Sequence, residues 1–547
     1  MAELPGQKVG VHWFRHGLRF HDNPALLELL QSCQVFVPIF IFDGFTGFSG
    51  AKTVSYNRIR FLLECLLDLN NQLAARGGRL YVCAGDPPKV LHKLKEELGQ
   101  FKLSFDEDYE PIWHQRDLAV RQWCQNEGIE FIERGSHTLW DPRTVIQTNG
   151  GVPPLTYQMF VHTMKVLGPP PRPVSDIDWS CVSFGKLENF GSDNIKLFPG
   201  IPAAEELGIS QESGLGERVV VWEGGENRAL RQLQDRVIVE AEAFKRGLYL
   251  PNQAQPDLLA PPTSLSAALS AGCLSVRRFY WEIHDLYKDI HQGLQPASEN
   301  ITGQLIWREY FYTMSVNNPS YGQVTGNPIC LGISWGQGGG NEEAVERWRQ
   351  GQTGYPFIDA AMRQLRQEGW IHHIARNAVA CFLTRGDLWV SWEAGLAHFL
   401  HQLIDADWSV CAGNWLWVSS SAFEQLLDCS QCVCPVNYGR RLDPHGLYVK
   451  RYVPEVQHLP VQYIYEPWKA SLEVQEKSNC IIGKDYPERI VNHQQASQKN
   501  RQMMIRIRNS LVENRPQHCC PSSVEEVRQF MWLPEKFTDH LCESVHT

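Results

Sequence analysis

The residues with the clearest chemical potential lie between Asp405 and Trp417, in the sequence DADWSVCAGNWLW. Two carboxylates spaced i, i+2 and one thiol precede two indoles, Trp415 and Trp417. Upstream, the spacing i, i+3 predicts that Trp389 and Trp392 share one helix face. Carboxylates that hold a cation beside indoles that pass electrons favour a buried redox cofactor, whereas a hydrolase needs a nucleophile with a base in reach. A single tryptophan is most often core filler, so the redox interpretation depends on the clustering.

The composition is that of a globular protein, with 43% apolar and 20% charged residues over 547 positions. At roughly 100–200 residues per domain, this length predicts about two to four domains. The net charge of −10 argues against broad, charge-driven binding of nucleic acid, although a local basic patch stays open. The first residues lack the basic and apolar regions of a secretory signal, and the apolar run Val35–Phe42 is far shorter than the ~20 residues of a membrane span.

Sixteen cysteines are spread irregularly along the chain, which is typical of reduced thiols in an intracellular protein. One group is close in sequence, and its members are Cys429, Cys432 and Cys434. A zinc site there would need a fourth ligand that the sequence does not identify. Reduced structural or surface thiols are therefore favoured, and no metal site is predicted.

Alternating strands and helices in residues 1–140 predict a doubly wound α/β domain with a parallel sheet. The predicted elements are strands at 9–14, 35–42, 79–83, 102–106 and 130–132, and helices near 24–31, 56–75, 88–98 and 113–127. Asp22 or Asn23 would cap the first helix, with Pro24 in its first turn. No GxGxxG motif follows the first strand, so nothing indicates a dinucleotide-binding domain.

Residues 141–225 are rich in Pro, Gly and Ser, which predicts a long, mostly irregular linker that packs against one or both domains. Helical periodicity replaces the strand pattern over residues 226–510 and predicts an all-α domain without a block of strands. Residues 511–547 form a separate tail that begins with prolines and cysteines and continues with the amphipathic segment SSVEEVRQFMW.

Seven motifs, in order along the chain, resemble those of the cryptochrome/photolyase flavoproteins. They are WFRHGLRFHDNPAL at 13–26, LTYQMF at 155–160, SLSAALSAGCLS at 264–275, GQLIWREYFY at 303–312, GQTGYPFIDAAMRQL at 351–365, GWIHHIARN at 369–377 and DADWSVCAGNWLWVSSS at 405–421. Within the family, the sequence is most similar to the insect-type, light-sensing cryptochromes. The resemblance implies an FAD buried in a U shape within the helical domain, below a hole that admits a flipped base in the repair enzymes.

The resemblance also implies the flavin contacts, position by position. Arg236 and the turn of Ser264, Leu265 and Ser266 would hold the pyrophosphate, with hydroxyl and N–H groups meeting phosphate oxygens. The other expected contacts are Gln304, Arg308, His373, Arg376, Asp405, Ala406, Asp407 and Cys411. A buried ion pair between Arg376 and Asp405 is expected near the isoalloxazine, because guanidinium and carboxylate groups match in geometry. We expect the α/β domain to hold no antenna chromophore.

One departure from the repair enzymes lies in the segment HHIARN. The (6-4) photolyases carry two histidines at i and i+4 there, which transfer protons to the lesion, whereas here His373 is followed by Asn377. An amide does not act as a general acid or base near neutral pH, and losing one member of a cooperating pair often costs orders of magnitude in rate. This points away from DNA repair.

Two further features are typical of a receptor. Cys411 aligns with the residue expected to face flavin N5, and a thiol donates a proton far less readily than the aspartic acid of plant cryptochromes. A reduced flavin beside it is expected to stay unprotonated, stabilised by Arg376. The aromatic segment Phe530, Met531 and Trp532 occupies the position of a plug that, in insect-type cryptochromes, folds back into the lesion cavity.

The function implied by the resemblance is that of a blue-light photoreceptor that entrains the circadian clock, and not that of an enzyme. Electrons are expected to pass along Trp415, Trp392 and Trp335, with Trp389 as a candidate fourth member at the surface. His373 would respond to the new charge, and release of the tail would allow partners to bind and be turned over. By resemblance, these partners are Timeless-like and Period-like clock proteins and ubiquitin-ligase adaptors. The protein is expected in the cytoplasm and the nucleus. We expect it neither to bind DNA stably nor to associate with a membrane.

Two other functions stay open at this stage. One is a DNA photolyase of the (6-4) type, in which the basic run GRRLDPHGLYVKRY at 439–452 would contact a phosphate backbone. The other is a light-independent clock repressor with a weakly held flavin. Cys411 and the short aromatic tail argue against the repressor.

Overall fold

A computed structural model describes most of the chain. The described residues are 8–44, 54–187, 190–191, 195–211, 221–247, 258–259, 263–292, 301–336, 339–423 and 433–514. The predicted aromatic plug, Phe530 to Trp532, and two of the clustered cysteines, Cys429 and Cys432, lie outside these ranges.

A mainly parallel sheet forms the centre of the amino-terminal half. Its strands are β1 (Val9–Phe14), β2 (Val35–Phe42), β3 (Tyr81–Ala84), β4 (Phe101–Asp106), β5 (Phe131–Arg134), β6 (Ser183–Phe184) and β7 (Lys196–Leu197). They lie in the order β5-β4-β1-β2-β3-β7, and β6 pairs with β2. All eight residues of β2 are buried, as a central strand of a parallel sheet covered on both faces requires. The predicted doubly wound sheet is confirmed, with small shifts in the strand ends.

The helices of this half begin at caps that the sequence supplies. They are α1 (Pro24–Ser32), α2 (Tyr56–Ala74), α3 (Pro87–Leu98) and α4 (His114–Glu127). Of the two predicted caps of α1 the structure selects Asn23, whose side chain accepts a hydrogen bond from the Leu26 N–H group at 3.1 Å. Asp22 instead forms an ion pair at 2.7 Å with Arg277 of the helical half, a partner that the local sequence does not indicate.

The predicted linker is more ordered than its composition indicates. It contains α5 (Pro142–Thr148) and α6 (Tyr157–Leu167), and its strands β6 and β7 extend the sheet of the first domain. Strand β6 runs parallel to β2, and β7 runs antiparallel to β3. Most described residues of the segment still lie outside helices and strands, as predicted, and its two strands were missed because strands this short show no periodic pattern.

The second half is built from helices, as predicted. They are α7 (Glu226–Lys245), α8 (Ser266–Ser270), α9 (Val276–Ile290), α10 (Ile301–Ser315), α11 (Gly339–Gln350), α12 (Pro356–Glu368), α13 (His373–Cys381), α14 (Trp392–Gln402), α15 (Trp408–Val418), α16 (Pro435–Leu442), α17 (Leu447–Tyr452), α18 (Leu472–Lys477) and α19 (His493–Asn514). In the described part of this half, strand-like pairing is limited to a bridge between Ile482 and Tyr486. Within the described ranges no helix combines the length and the apolar character that crossing a membrane requires.

One prediction about the tryptophans is wrong. Trp389 and Trp392 do not share a helix face, because α14 begins only at Trp392. The Ser391 side chain caps this helix by accepting a hydrogen bond from the Glu393 N–H group, and Trp389 precedes the cap with a φ of 55°. The spacing alone did not reveal that a cap separates the two residues.

A buried carboxylate joins the two halves at the start of α7. Glu226 accepts hydrogen bonds from the N–H groups of Phe20 and His21, both at 2.9 Å, and pairs with the His21 ring at 2.5 Å. Its second oxygen accepts a hydrogen bond from Gln72 at 3.0 Å. Burial alone would raise the pKa of Glu226, but the contacts with His21 and Gln72 lower it. The segment after β1 therefore depends on an acid from the second half.

We expect the substitution Glu226→Ala to lower the free energy of unfolding by about 2–4 kcal/mol, because it leaves several buried donors without an acceptor. Denaturant unfolding followed by circular dichroism measures this loss. Glu223→Ala is the matched control, since the Glu223 side chain is 61% exposed on the same segment. Equal stability of the two variants would contradict the role given to Glu226.

Candidate functional site: a cavity in the helical half

A cavity of about 990 Å³ opens into the helical half. Its walls come from α7, α8, α10, α13, α15 and the loop that joins α14 to α15. The residues that both line it and were expected to contact a flavin are Arg236, Ser264, Leu265, Ser266, Gln304, Arg308, His373, Arg376, Asp405, Asp407 and Cys411. Ala406 is buried and does not line the cavity. The fold thus brings nearly all predicted contacts to one place.

The predicted ion pair between Arg376 and Asp405 is present in the cavity wall. Nη2 of Arg376 donates to Oδ2 of Asp405 at 2.8 Å, and Ser266 Oγ donates to the same oxygen at 2.6 Å. The guanidinium makes one contact with the acid, because its Nε donates to the carbonyl of Ile371. Oδ1 of Asp405 is buried without a hydrogen-bond partner among the described residues. A donor on a bound ligand would satisfy this oxygen.

Arg308 and Asp407 form a second polar group in the wall. Their side chains lie 3.5 Å apart, and Nη1 of Arg308 donates to the carbonyl of His137 at 2.8 Å. Nε of Arg308 is buried without a hydrogen-bond partner in the described part of the chain, and Nη2 makes only the 3.5 Å ion-pair contact with Asp407. Open donors and an open acceptor around one cavity suit a ligand that carries both phosphates and a polar heteroaromatic ring. The residues present therefore fit an FAD.

The expected phosphate contact, Arg236, is only partly open. Its Nε and Nη2 donate to Oε1 of the buried Glu240, one turn later in α7, at 2.8 and 2.5 Å. Its Nη1 lies 3.4 Å from Thr263 Oγ1. Ser264 and Ser266 hydrogen-bond each other at 2.9 Å on the same side of the cavity. Because Glu240 balances Arg236, this side carries less positive charge than the sequence indicated.

Burial sets the protonation of the thiol and the imidazoles at the cavity. It raises the pKa of the Cys411 thiol, and the charge of Asp405 raises it further. The thiol therefore keeps its proton, which agrees with the expectation of a poor proton donor. Burial and the charge of Arg376 lower the pKa of His373, and burial with the neighbouring His373 ring lowers that of His372 to about 4. Both imidazoles are accordingly neutral near pH 7.

The predicted electron-transfer tryptophans are all buried or nearly so. Trp415 lines the cavity, and Trp392 is fully buried at the start of α14. The rings of Trp335 and Trp389 contact each other, with centroids 5.0 Å apart. Trp389 is only 9% exposed, so it does not stand freely at the surface as expected. Trp415 therefore lies at the cavity and Trp335 contacts Trp389, whereas electron transfer along these residues stays a prediction.

A second group of aromatic rings lies at the cavity, although the expected electron-transfer chain included none of them. Trp307 stacks on Tyr157 with centroids 3.7 Å apart, and Trp417 stacks on Trp307 at 5.7 Å. Trp307 and Trp417 both line the cavity, and Trp417 is 40% exposed. The sequence does not predict that these rings stack, because each ring comes from a different helix.

Arg58 is a buried residue that the sequence did not reveal. It lies on α2 of the α/β half, and its guanidinium donates to the carbonyls of Leu400, Leu403 and Ala406 at 2.6, 3.3 and 3.1 Å. These contacts hold the loop that carries Asp405. Burial lowers the pKa of Arg58 to about 10, although nearby acidic groups oppose this shift. An arginine in the first turn of an amphipathic helix has no local feature that marks such a role.

Glu110 is a second such residue, where the α/β half meets α15. Its Oε1 accepts a hydrogen bond at 2.8 Å from the N–H group of Ser409, in the first turn of the helix that carries Cys411. Burial, followed by the charges of Asp108 and Asp407, raises the pKa of Glu110 to about 8. Near pH 7 this acid is therefore largely neutral, which limits the negative charge buried beside the cavity.

Comparisons with known proteins agree with this site. The sequence profile described as the FAD binding domain of DNA photolyase matches residues 301–506, and the DNA photolyase profile matches residues 10–175. Cryptochrome-1 of Aedes aegypti is 52% identical over 96% of this chain and 98% of its own length. The chain belongs to the cryptochrome/photolyase family. Its helical half is the FAD-binding domain of that family, and FAD is its cofactor.

Other members of the family differ in how similar their sequences are to this chain. Cryptochrome-1 of Drosophila melanogaster is 51% identical over 96% of this chain and 98% of its own length, whereas that of Mus musculus is 44% identical over 92% and 81%. A class III photolyase from Agrobacterium tumefaciens, 26% identical, superposes with a TM-score of 0.76 over 93% of this chain and 99% of its own. The sequence is thus nearer to the insect cryptochromes, and the fold is shared with the photolyases.

The substitution Glu110→Gln tests the buried acid through the pH dependence of stability. The pKa of Glu110 is higher in the folded state than its ordinary value, so its contribution is complete at acidic pH and is lost as pH rises through about 8. Glutamine keeps an acceptor for Ser409 and cannot ionise. We expect the stability of the variant, relative to the parent, to rise by at most about 3 kcal/mol between pH 5.5 and 8.

Thermal melting of parent and variant across this pH range measures the difference. Glu130→Gln is the control, because the Glu130 side chain is 73% exposed and its charge stays in water. A pH-independent difference between parent and Glu110→Gln would show that Glu110 is ionised throughout.

Proposed function

We propose that the protein is a blue-light photoreceptor that entrains the circadian clock, as the relatives' name cryptochrome and the geometry of the cavity together indicate. The observation that carries the proposal is the wall of the cavity, where Cys411, Arg376 and Trp415 lie together. A thiol that keeps its proton and an arginine already paired with an acid favour storage of charge over proton-transfer catalysis.

Bound FAD would supply absorption of blue light and one-electron chemistry. The contribution of the chain is to place an electron donor at the cavity and to carry the positive charge away. Trp415 is the proposed donor, and Trp392 and then Trp335 are the proposed next members. Contact between Trp335 and Trp389 supports a fourth step toward the surface.

His373 is the group that we expect to respond to the new charge. Its ring is neutral and borders the cavity beside Arg376, so a negative charge nearby would raise the pKa of His373 and favour proton uptake. In a medium of low dielectric constant this influence is much larger than in water. We propose that this change of charge is transmitted to the carboxyl-terminal tail.

The proposed responding element is the carboxyl-terminal tail with Phe530, Met531 and Trp532. Its release would expose a surface to partners, by family resemblance Timeless-like and Period-like clock proteins and ubiquitin-ligase adaptors, and lead to their turnover. We propose that the protein acts in cytoplasm and nucleus.

DNA repair is the less favoured function of this cavity. Asn377 lines the wall at the position where the (6-4) photolyases have their second histidine, and an amide does not transfer protons near neutral pH. We therefore propose that the protein does not repair DNA. Restoration of a lesion-bearing oligonucleotide under blue light is the assay that would reverse this proposal.

We expect Trp415→Phe to slow photoreduction of the purified protein roughly tenfold or more, because the donor beside the cavity is removed while its volume is largely kept. Flavin absorbance during blue illumination measures the rate. Trp408→Phe on the same helix is the matched control, since Trp408 is buried but does not line the cavity. Reduction of Trp415→Phe at the parental rate would remove Trp415 from its role.

Deleting residues 525–547 should leave FAD bound and make partner binding independent of light, because the proposed gate is gone. Binding to a Timeless-like partner, compared in darkness and after illumination, measures this. A shorter deletion of residues 533–547 keeps Phe530, Met531 and Trp532 and should preserve the light requirement. If the longer deletion also preserves it, the tail is not the gate.

A further inference from the structure

Three side chains of the α/β half come together outside the FAD cavity. They are His16, Asp108 and Glu110, and none of them lines that cavity. One ligand atom from each lies within 4.8 Å of the other two, and among the described residues this is the group of His, Cys, Asp and Glu side chains for which that holds. Nε2 of His16 lies 2.7 Å from Oδ2 of Asp108. An imidazole with two carboxylates is a set of ligands that binds divalent metal ions in proteins.

The group lies where an open α/β sheet holds its ligands. His16 follows the end of β1, and Asp108 and Glu110 follow the end of β4, the strand that pairs with β1. The chain continues from β1 to β2 on one side and from β4 to β5 on the other, so the strand order reverses between β1 and β4. In such sheets ligands bind outside the carboxyl ends of the strands at this point. The place in the topology therefore points to a ligand independently of the side-chain types.

Contacts outside the group hold its two acids in place. Oε1 of Glu110 accepts the N–H group of Ser409 at 2.8 Å, and Oε2 accepts the indole N–H group of Trp113 at 3.3 Å. Oδ1 of Asp108 accepts the N–H group of Glu110 at 3.2 Å. Because each carboxylate oxygen has two lone pairs, these hydrogen bonds orient the acids and still leave them able to bind a cation.

The spacing of the ligand atoms suits a metal ion after a small adjustment. A tetrahedral site with metal–ligand distances of about 2.1 Å places its ligand atoms about 3.4 Å apart. The distance of 2.7 Å between His16 and Asp108 is shorter than this, and the limit of 4.8 Å for the whole group is longer. Differences of about 1 Å are within the reach of side-chain rotation, so the strands need not move.

The charges around the group leave place for a cation. Ion pairs join it to two arginines and two further acids, which are Arg15, Arg116, Asp43 and Asp117. Arg116 is shared between acids, since it lies 3.3 Å from Asp108 and 2.8 Å from Asp117. With His16 neutral and both ligand acids ionised, four acids and two arginines carry two net negative charges, which a divalent cation neutralises. Buried charge is costly unless it is paired.

Without a metal ion, a proton takes part of this role. Burial alone would lower the pKa of His16, but the charge of Asp108 and its hydrogen bond raise it. Metal ligands must be deprotonated, so a cation takes the place of this proton.

We propose that His16, Asp108 and Glu110 form a binding site for one divalent transition-metal ion, such as Mn²⁺ or Zn²⁺. The ion joins the loops after β1 and β4, and Glu110 connects it to the N–H group of Ser409 at the start of α15, the helix that carries Cys411. The sequence did not indicate this site, because only the sheet brings the two loops together. The site does not depend on the proposed light-sensing function, so either proposal can fail alone.

Binding of Mn²⁺ to the FAD-loaded full chain tests the proposal. Mn²⁺ is the probe because it prefers oxygen ligands to sulfur, so the sixteen cysteines compete little. The electron paramagnetic resonance signal of free Mn²⁺ falls as the ion binds, and we expect one tightly bound ion per chain. Zn²⁺ should displace it, since Zn²⁺ binds a given site more tightly.

Slow entry into a buried site is tested in parallel. Protein produced in medium supplemented with Mn²⁺ is desalted, and its metal content is measured by mass spectrometry. Absence of a bound ion in both experiments would overturn the proposal.

Variants show whether the ion binds at this group. Glu110→Gln keeps an acceptor for Ser409 and removes a charged ligand, and Asp108→Asn makes the corresponding change beside His16. Each should weaken Mn²⁺ binding roughly tenfold or more, since even the loss of an outer contact of a metal site costs this much. Glu107→Gln is the matched control, because Glu107 lies on the same segment and pairs with Arg143. Flavin absorbance shows whether each variant is folded, and unchanged affinity in both ligand variants would contradict the assignment.

If the ligand variants do not fold, thermal melting of the parent decides. Mn²⁺ at about 100 times its dissociation constant should raise the melting temperature by roughly 2 °C or more. The same concentration of Mg²⁺ should have little effect, because Mg²⁺ retains its waters and prefers oxygen ligands. An equal rise with both ions, or no rise with either, would show that Mn²⁺ binds only to acids at the surface.

Discussion

Buried polar groups of the α/β half hold the loop on which the FAD cavity depends. Arg58 binds three carbonyls of the segment that leads to Asp405 and Asp407, and Glu110 accepts the N–H group of Ser409 just after them. The residues that line the cavity all belong to the chain after position 220. The described residues of the first half therefore shape the site without lining it, and leaving one partner of such a buried hydrogen bond unsatisfied generally costs about 1–3 kcal/mol.

Before illumination, most charged side chains of the cavity are paired with a side chain of opposite charge. Each of three arginines lies beside an acid, and the pairs are Arg236 with Glu240, Arg308 with Asp407 and Arg376 with Asp405. His373 is neutral and Cys411 keeps its proton. A single added charge then meets little compensation in a site of low dielectric constant, so its field reaches neighbouring groups with little loss. This balance suits a sensor of charge.

Local patterns predicted the parts of the fold that local physics controls. The continuous apolar run of β2 and the cap before Pro24 follow from burial and from hydrogen bonding within a few residues, and both were recognisable. The choice of Asn23 over Asp22 was not, because Asp22 is occupied by Arg277, more than 250 positions away. Trp389 was misplaced for a related reason, since the Ser391 cap interrupts a spacing that looks helical.

From the sequence alone came the family, the two-domain order and twelve expected flavin contacts, of which all but Ala406 line the cavity, because those residues lie inside the seven family motifs. Apart from the predicted Arg376–Asp405 pair, the buried polar contacts were visible only in the folded chain: Glu240 on Arg236, Arg58 on the carbonyls of the Asp405 loop, and His493 on Asp387. Pairing depends on distances across the fold, and burial makes those distances decisive because water no longer screens the charges.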